Sequence, residues 1–125
     1  MTQYIPYIIM GIIAGFIIYR YILNAITLMS YKELKSKLEN GDKFVLLDVR
    51  TNKEYRSGFI PGSRHISPEN LPAKLKKTKK DALIVVYCQS GGRAAAAKRK
   101  LELNGYSNVT SFGGVRRWKG ALEKK

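Results

Sequence analysis

The chain has 125 residues, of which 45% are hydrophobic and 26% charged, and a net charge of +14. That is room for one small domain, and the composition excludes a collagen-like, low-complexity or wholly disordered chain. One cysteine rules out an intrachain disulfide framework, and one cysteine with one histidine rules out a Cys/His zinc site.

Charge divides the chain into two parts. Arg20 is the sole charged side chain in residues 1–30, so 22 of the 23 Lys and Arg and all nine Asp and Glu follow it. Residues 4–19 (YIPYIIMGIIAGFIIY) form an uncharged apolar run. As a helix it would rise about 24 Å, short of a hydrocarbon core of about 30 Å, but Tyr21, Ile22 and Leu23 extend it beyond Arg20. Pro6 suits a first helical turn. Tyr4 and Tyr7 at one end and Tyr19 and Tyr21 at the other suit the two membrane interfaces. An arginine at a bilayer centre would cost roughly 2.5–3.5 kcal/mol, so Arg20 belongs at the boundary, its stem snorkelling to the headgroups. No basic residue precedes the run and no A-x-A site follows it, which argues against a cleaved signal peptide. The isoleucines encircle the helix, which argues against a core helix with one apolar stripe. An interfacial helix would need a charged face, which is lacking before Arg20. Residues 1–29 are therefore expected to be a single transmembrane anchor, spanning within residues 4–29. Arg20, Lys32, Lys35 and Lys37 place the N-terminus outside and residues 30–125 in the cytoplasm.

The remaining residues alternate helix and strand. Ser30-Tyr31-Lys32-Glu33 reads as a capping box opening a helix that Gly41 closes. Residues 44–49 are a continuous apolar run apart from Asp48, as in a strand buried on both faces. Thr51-Asn52-Lys53-Glu54 is a second capping box, for a short helix ending at Gly58. Residues 64–66 read as a short strand. Ser67-Pro68-Glu69 opens a helix reaching about Leu75. Residues 83–87 are the second strongly buried strand, residues 94–104 a helix closed by Gly105, residues 109–112 a last strand and residues 115–122 a last helix. This alternation predicts a mostly parallel sheet with helices on both faces, and such sheets bind ligands beyond the carboxyl ends of their strands.

The strand over residues 83–87 runs directly into Cys88-Gln89-Ser90-Gly91-Gly92-Arg93. Two glycines permit positive φ, so the loop can curl its N–H groups inward, and the next helix points its positive end at the same spot. Arg93 adds a cation. Such donors would stabilise a thiolate or a persulfide anion on Cys88. No general base stands nearby in sequence. Thiolate attack on the outer sulfur of an anionic donor needs a nucleophile and anion binding more than it needs proton transfer. The alternative for Cys88 is a buried structural thiol; the glycine pair, the arginine and the strand–loop–helix context weigh against it.

These residues resemble a family. Leu46-Leu47-Asp48-Val49-Arg50 with Glu54-Tyr55, then Gly58-Phe59-Ile60-Pro61-Gly62-Ser63, then Val86-Tyr87-Cys88 with Ser90-Gly91 and Arg93, and finally Gly113-Gly114 with Trp118 and Gly120, are similar in kind and order to the signatures of single-domain rhodaneses. The resemblance covers about residues 31–120. It implies a five-stranded parallel sheet flanked by helices and a cysteine alternating between thiol and persulfide. It makes Cys88 the nucleophile, with Arg93 beside it. Gln89, Ser90, Gly91, Gly92 and Arg93 become the anion cradle. Asp48, Arg50, Glu54 and Trp118 become structural supports. No metal or cofactor is implied. Phe59 stands where the family usually has His, His65 where Asn is common, and Ala94 where Ser or Thr is frequent, which bears on donor preference. Four residues separate Cys88 from Arg93, whereas phosphatase relatives use five; the shorter loop favours sulfur over phosphoryl transfer or arsenate reduction.

The expected activity is transfer of sulfane sulfur from a small anionic donor, thiosulfate or a persulfide, to cyanide, a low-molecular-weight thiol or a protein thiol. The alternative is a non-catalytic binding or sulfur-carrier module at the membrane. Basic clusters at Lys74, Lys76, Lys77, Lys79 and Lys80, at Lys98, Arg99 and Lys100, and at Arg116, Arg117 and Lys119 suit either anionic lipid or a solvated surface. No RNA-binding signature or interleaved stacking aromatics accompany them, which argues against nucleic acid.

Overall fold

Two apolar runs make the centre of the molecule. In the computed structural model, which describes residues 2–26 and 28–125, strand β1 (Val45–Asp48) pairs in parallel with β3 (Ile84–Cys88), Leu47 opposite Val86 and Asp48 opposite Tyr87. The short β2 (Arg64–His65) flanks β1, and β4 (Val109–Gly114) flanks β3, giving a four-stranded parallel sheet in the order β2-β1-β3-β4. Successive residues point to opposite faces, and both faces are covered, which is why these runs do not alternate with polar residues. Leu47, Val49, Ile84, Val86 and Cys88 pack beneath helix α4 (Gly92–Leu103) with Ala94, Ala97 and Leu101. Leu46, Val85 and Tyr87 pack on the other face with Leu34 of helix α2 (Tyr31–Glu39). Helix α3 (Asn52–Ser57) joins β1 towards β2.

Of the two expected capping boxes, the one at α3 is complete, formed reciprocally by Thr51 and Glu54. At α2, Ser30 accepts from the Glu33 N–H at 3.1 Å.

Three expectations need correction. The sheet has four strands, not five. Outside the sheet, Phe59 and Glu123 form a single antiparallel bridge and exchange both backbone hydrogen bonds. The helix expected over residues 115–122 is one 3-10 turn, Val115–Arg117; Trp118 is extended, and the chain turns back to make that bridge. The helix expected to reach Leu75 is two 3-10 turns, Pro68–Asn70 and Ala73–Leu75, because Pro72 offers no N–H and holds Leu71 extended.

β4 carries an irregularity that matters for the site. Val86 pairs with Ser111 but Tyr87 pairs with Gly113, so Phe112 is an extra residue. Phe112 drops into the α2-side core, and Gly113 and Gly114 are brought alongside Tyr87 and Cys88.

The N-terminal segment forms helix α1 (Ile5–Ile26), preceded by one 3-10 turn. The apolar stretch Thr2–Leu23, made of that turn and most of α1, is long and apolar enough to cross a membrane by length and composition, and none of it is buried in the protein. Met1 and Thr27, both within the expected anchor, lie outside the described residues.

Candidate active site

Cys88 is the last residue of β3 and is fully buried, on the face covered by α4. The chain leaves the strand and curls back through Gly91, whose φ of 109° favours glycine, before α4 begins at Gly92. This curl aims two backbone donors at the thiol: the Gly91 N–H reaches Sγ at 2.9 Å and the Ala94 N–H at 3.3 Å. Both belong to the cap or first turn of a 12-residue helix, so the helix dipole acts in the same direction. The arrangement favours negative charge on sulfur. Gly114 backs the loop: a Cβ there would lie 2.7 Å from the Gln89 carbonyl oxygen and 3.2 Å from the Ser90 Cα. Ser90 and Gly92 are exposed, while Gln89 and Gly91 are half-buried.

Beneath the loop lies a buried ion pair. Arg50 donates through Nε to both Asp48 oxygens at 3.0 Å and through Nη2 to Oδ2 at 2.6 Å, and its backbone N–H reaches Oδ1 at 2.9 Å. Nη2 also donates to the Gly58 carbonyl at 2.6 Å, and Nη1 to Gln89 Oε1 at 3.1 Å. Burial works against the Arg50 charge, but the Asp48 carboxylate outweighs it, so the Arg50 pKa is raised. Tyr87, over whose ring Arg50 lies at 5.7 Å, has its hydroxyl pKa driven up by burial.

Arg93 faces a different partner from the loop interior. Its guanidinium makes a two-pronged pair with Glu54, Nη1 to Oε1 at 2.7 Å and Nη2 to Oε2 at 3.0 Å. Arg93, then the Thr51 backbone N–H, hold the Glu54 carboxyl at about 2. Glu54 thus serves α3 as its cap and α4 as the counter-charge of its first turn. His65 approaches the Arg50 carbonyl with Nε2 at 2.7 Å and stacks on Tyr55, with ring centroids 4.8 Å apart. A carbonyl only accepts, so that nitrogen carries the proton. Phe59 stacks on the same Tyr55, with centroids 4.4 Å apart. Trp118 lies across the sheet from Cys88, edge-on to Tyr31 at 5.1 Å, with Nε1 donating to the Ala121 carbonyl.

The structure therefore gathers Cys88, Gln89, Ser90, Gly91, Gly92 and Arg93 at the junction of β3 with the first turn of α4. Asp48 and Arg50 lie directly behind it, Glu54 at its side and Trp118 apart from it. No group of three or more His, Cys, Asp or Glu able to hold a metal occurs among the described residues. Gly114 and the Ala94 N–H carry parts of the site that the sequence reading did not assign.

Residues 30–121 match the model of the rhodanese-like domain family. The chain belongs to that family. It is 33% identical over 97 residues to YtwF of Bacillus subtilis, covering 78% of this chain and 94% of the relative. It is 30% identical over 102 residues to the thiosulfate sulfurtransferase GlpE of Pseudoalteromonas translucida, covering 78% and 97%. Among solved structures, a rhodanese-like domain protein from Staphylococcus aureus superposes with a TM-score of 0.68 at 33% identity, covering 79% of this chain and 98% of that one.

Proposed function

We propose that this rhodanese-like chain is a membrane-anchored sulfurtransferase that carries sulfane sulfur on Cys88. The observation that carries the reading is the pair of N–H donors, from Gly91 and Ala94, trained on Sγ at the end of β3. With thiosulfate, the Cys88 thiolate attacks the outer sulfur; an Sγ–S bond forms, the S–S bond of the donor breaks, and sulfite leaves with the electron pair. A thiolate or cyanide acceptor then attacks that outer sulfur, and the Cys88 thiolate leaves. Neither step needs an external oxidant or a general base. The loop N–H groups stabilise the anion before and after each transfer. Thiosulfate as donor is supported by the name of the GlpE relative, and persulfides offer the same outer sulfur.

Helix α1 supplies the anchor in this reading. Its apolar stretch has the length and composition to cross a bilayer, and Arg20 near its end with Lys32, Lys35 and Lys37 after it supports a cytoplasmic catalytic domain.

The full chain in detergent micelles, incubated with thiosulfate and weighed intact, should gain one sulfur atom. Cyanide or dithiothreitol should remove it, and Cys88→Ser should not acquire it. No gain with thiosulfate, cysteine persulfide or glutathione persulfide would overturn the reading in favour of a non-catalytic module. One observation favours that second reading: the Arg93 guanidinium is paired two-pronged with Glu54.

A further inference from the structure

The link between α1 and the domain is fastened to the backbone that supports the reactive loop. Met29 is buried; its N–H donates to the Ser111 carbonyl at 2.8 Å, and its carbonyl accepts from Arg117 Nη2 at 3.0 Å. Leu28 reaches Gly113, where an added Cβ would lie 3.4 Å from Leu28 Cδ1. Gly113 in turn lies against the loop, its Cα 3.7 Å from the position of a Cβ on Gly91. Only six Cα steps lead from Leu23, where the apolar stretch ends, to Met29. Fully extended, they span at most about 20 Å. If α1 occupies a bilayer, Met29 stays within that distance of the hydrocarbon boundary whatever the tilt of α1, and the β4 edge it is bonded to, with the loop against it, lies next to that point.

A cleft of about 640 Å³ opens at this place. Four cations line it: Arg20 from the end of the apolar run, Lys98 and Arg99 from α4, and Arg117. Glu102 is the one carboxylate. Ser90, Gly91 and Gly92 of the Cys88 loop line it together with Gly113 and Gly114, while Cys88 and Arg93 do not, so the cleft shares the loop with the thiol cradle but not the thiol itself. Arg117 is held in place, lying 5.4 Å from the Phe112 ring centroid while it donates to Met29. In the cluster over residues 74–80, Lys80 is engaged within the fold, donating to the Asn104 carbonyl; next to the cleft, Lys100 is turned to the Pro68 carbonyl and leaves Lys98 and Arg99 as the α4 cations that line it.

We propose that this cleft binds the phosphate headgroup of an anionic phospholipid in the leaflet where α1 emerges, holding the domain with its reactive loop towards the membrane surface. Arginine forks match phosphate oxygens in pairs, and the short link keeps the cleft where headgroups are concentrated. The inference rests on the anchoring reading given above.

The test uses the full chain in vesicles of phosphatidylcholine alone or mixed 7:3 with phosphatidylglycerol, each with the same small fraction of headgroup spin-labelled lipid. Trp118 is the sole tryptophan; its ring packs on the α2 side of the sheet, but its backbone directly follows Arg117, so its quenching rises as the end of β4 nears the headgroups. Quenching should rise at least twofold with phosphatidylglycerol. It should return to the phosphatidylcholine level in 0.5 M salt and in the double variant Lys98→Glu with Arg99→Glu; Arg99→Gln should give an intermediate value with less risk to folding. If the chain floats with phosphatidylcholine vesicles but quenching ignores lipid charge, as for a cleft made for a soluble polyanion, the inference falls and the anchor stands. If the charge-reversed variant keeps the full lipid response, another basic cluster is responsible and the assignment of the cleft falls. If the chain fails to float with phosphatidylcholine vesicles, the anchoring reading falls and takes the inference with it.

Discussion

Arg50 couples the buried floor of the sheet to the reactive loop, donating to Asp48 on one side and to Gln89 Oε1, 39 residues on, at 3.1 Å. The two ends of this relay should behave differently. Asp48 is completely buried, so Asp48→Asn leaves the Arg50 charge in the interior without its counter-charge. Losing one partner of a buried pair costs about 3–5 kcal/mol. Gln89→Ala removes one half-buried hydrogen bond, a loss of about 1 kcal/mol. Denaturant unfolding of both variants, followed by Trp118 fluorescence, should show that separation; equal losses would mean that the ion pair is not the support of the loop.

Gly114 sets the height of the loop. An added Cβ would meet backbone, the Gln89 carbonyl oxygen at 2.7 Å, and backbone cannot swing aside as a flexible side chain can. Gly114→Ala should therefore displace residues 89–90 and disturb the N–H geometry around Cys88. Overpacking of this kind costs about 1–3 kcal/mol of stability. The rate of persulfide formation should fall about tenfold or more, because misaligned donors no longer meet the sulfur. Gly92→Ala is the control, since nothing lies within 4 Å of its added Cβ; it should keep most of the rate.

Local rules carried much of the architecture, and contacts distant in sequence carried the rest. Thr51 and Glu54 declare the start of α3 by spacing alone, and the apolar runs around Leu47 and Val86 declare the paired strands. The position of Cys88 at a strand end, before two glycines, made the strand–turn–helix course of its loop legible too. What could not be read was the partner of each charge. Glu54 reads as a capping residue, and nothing local says that its carboxylate also takes Arg93, 39 residues away. The C-terminal residues have helical composition, yet pairing of Glu123 with Phe59 overrides that propensity. Met29 reads as the tail of an apolar helix, while in three dimensions it belongs to the core beneath α2.

The Glu54–Arg93 pair predicts a pH signature. Its folded-state pKa of about 2 lies below the ordinary 4.5, so the pair contributes its stability above about pH 4.5 and loses it as the pH falls towards 2. Both side chains are partly exposed, at 29% for Glu54 and 40% for Arg93, so screening limits the contribution to about 1 kcal/mol or less. Glu54→Gln should be less stable than the parent by about that amount at pH 7 and indistinguishable from it near pH 2. A gap that persists at low pH would show that the loss comes from the cap and not from the charge. The same variant frees the Arg93 guanidinium. If that cation assists the donor anion, the KM for thiosulfate should fall.

Met29 makes the junction with α1 part of the folded domain. It is 6% exposed, packs with Leu34 and Phe112, and ties Ser111 to Arg117 through its own backbone. Truncating a buried methionine to alanine costs about 2–5 kcal/mol, and Met29→Ala keeps both backbone bonds, so its loss measures packing alone. A chain shortened to begin at Ser30 loses the packing and the two backbone hydrogen bonds together. It should unfold at lower denaturant than Met29→Ala, by about a further 1–2 kcal/mol. A chain beginning at Leu28 should recover most of that difference. If all three unfold at the same midpoint as the full chain, residue 29 is a passive tether, and the fastening of the anchor to β4 contributes nothing to the fold.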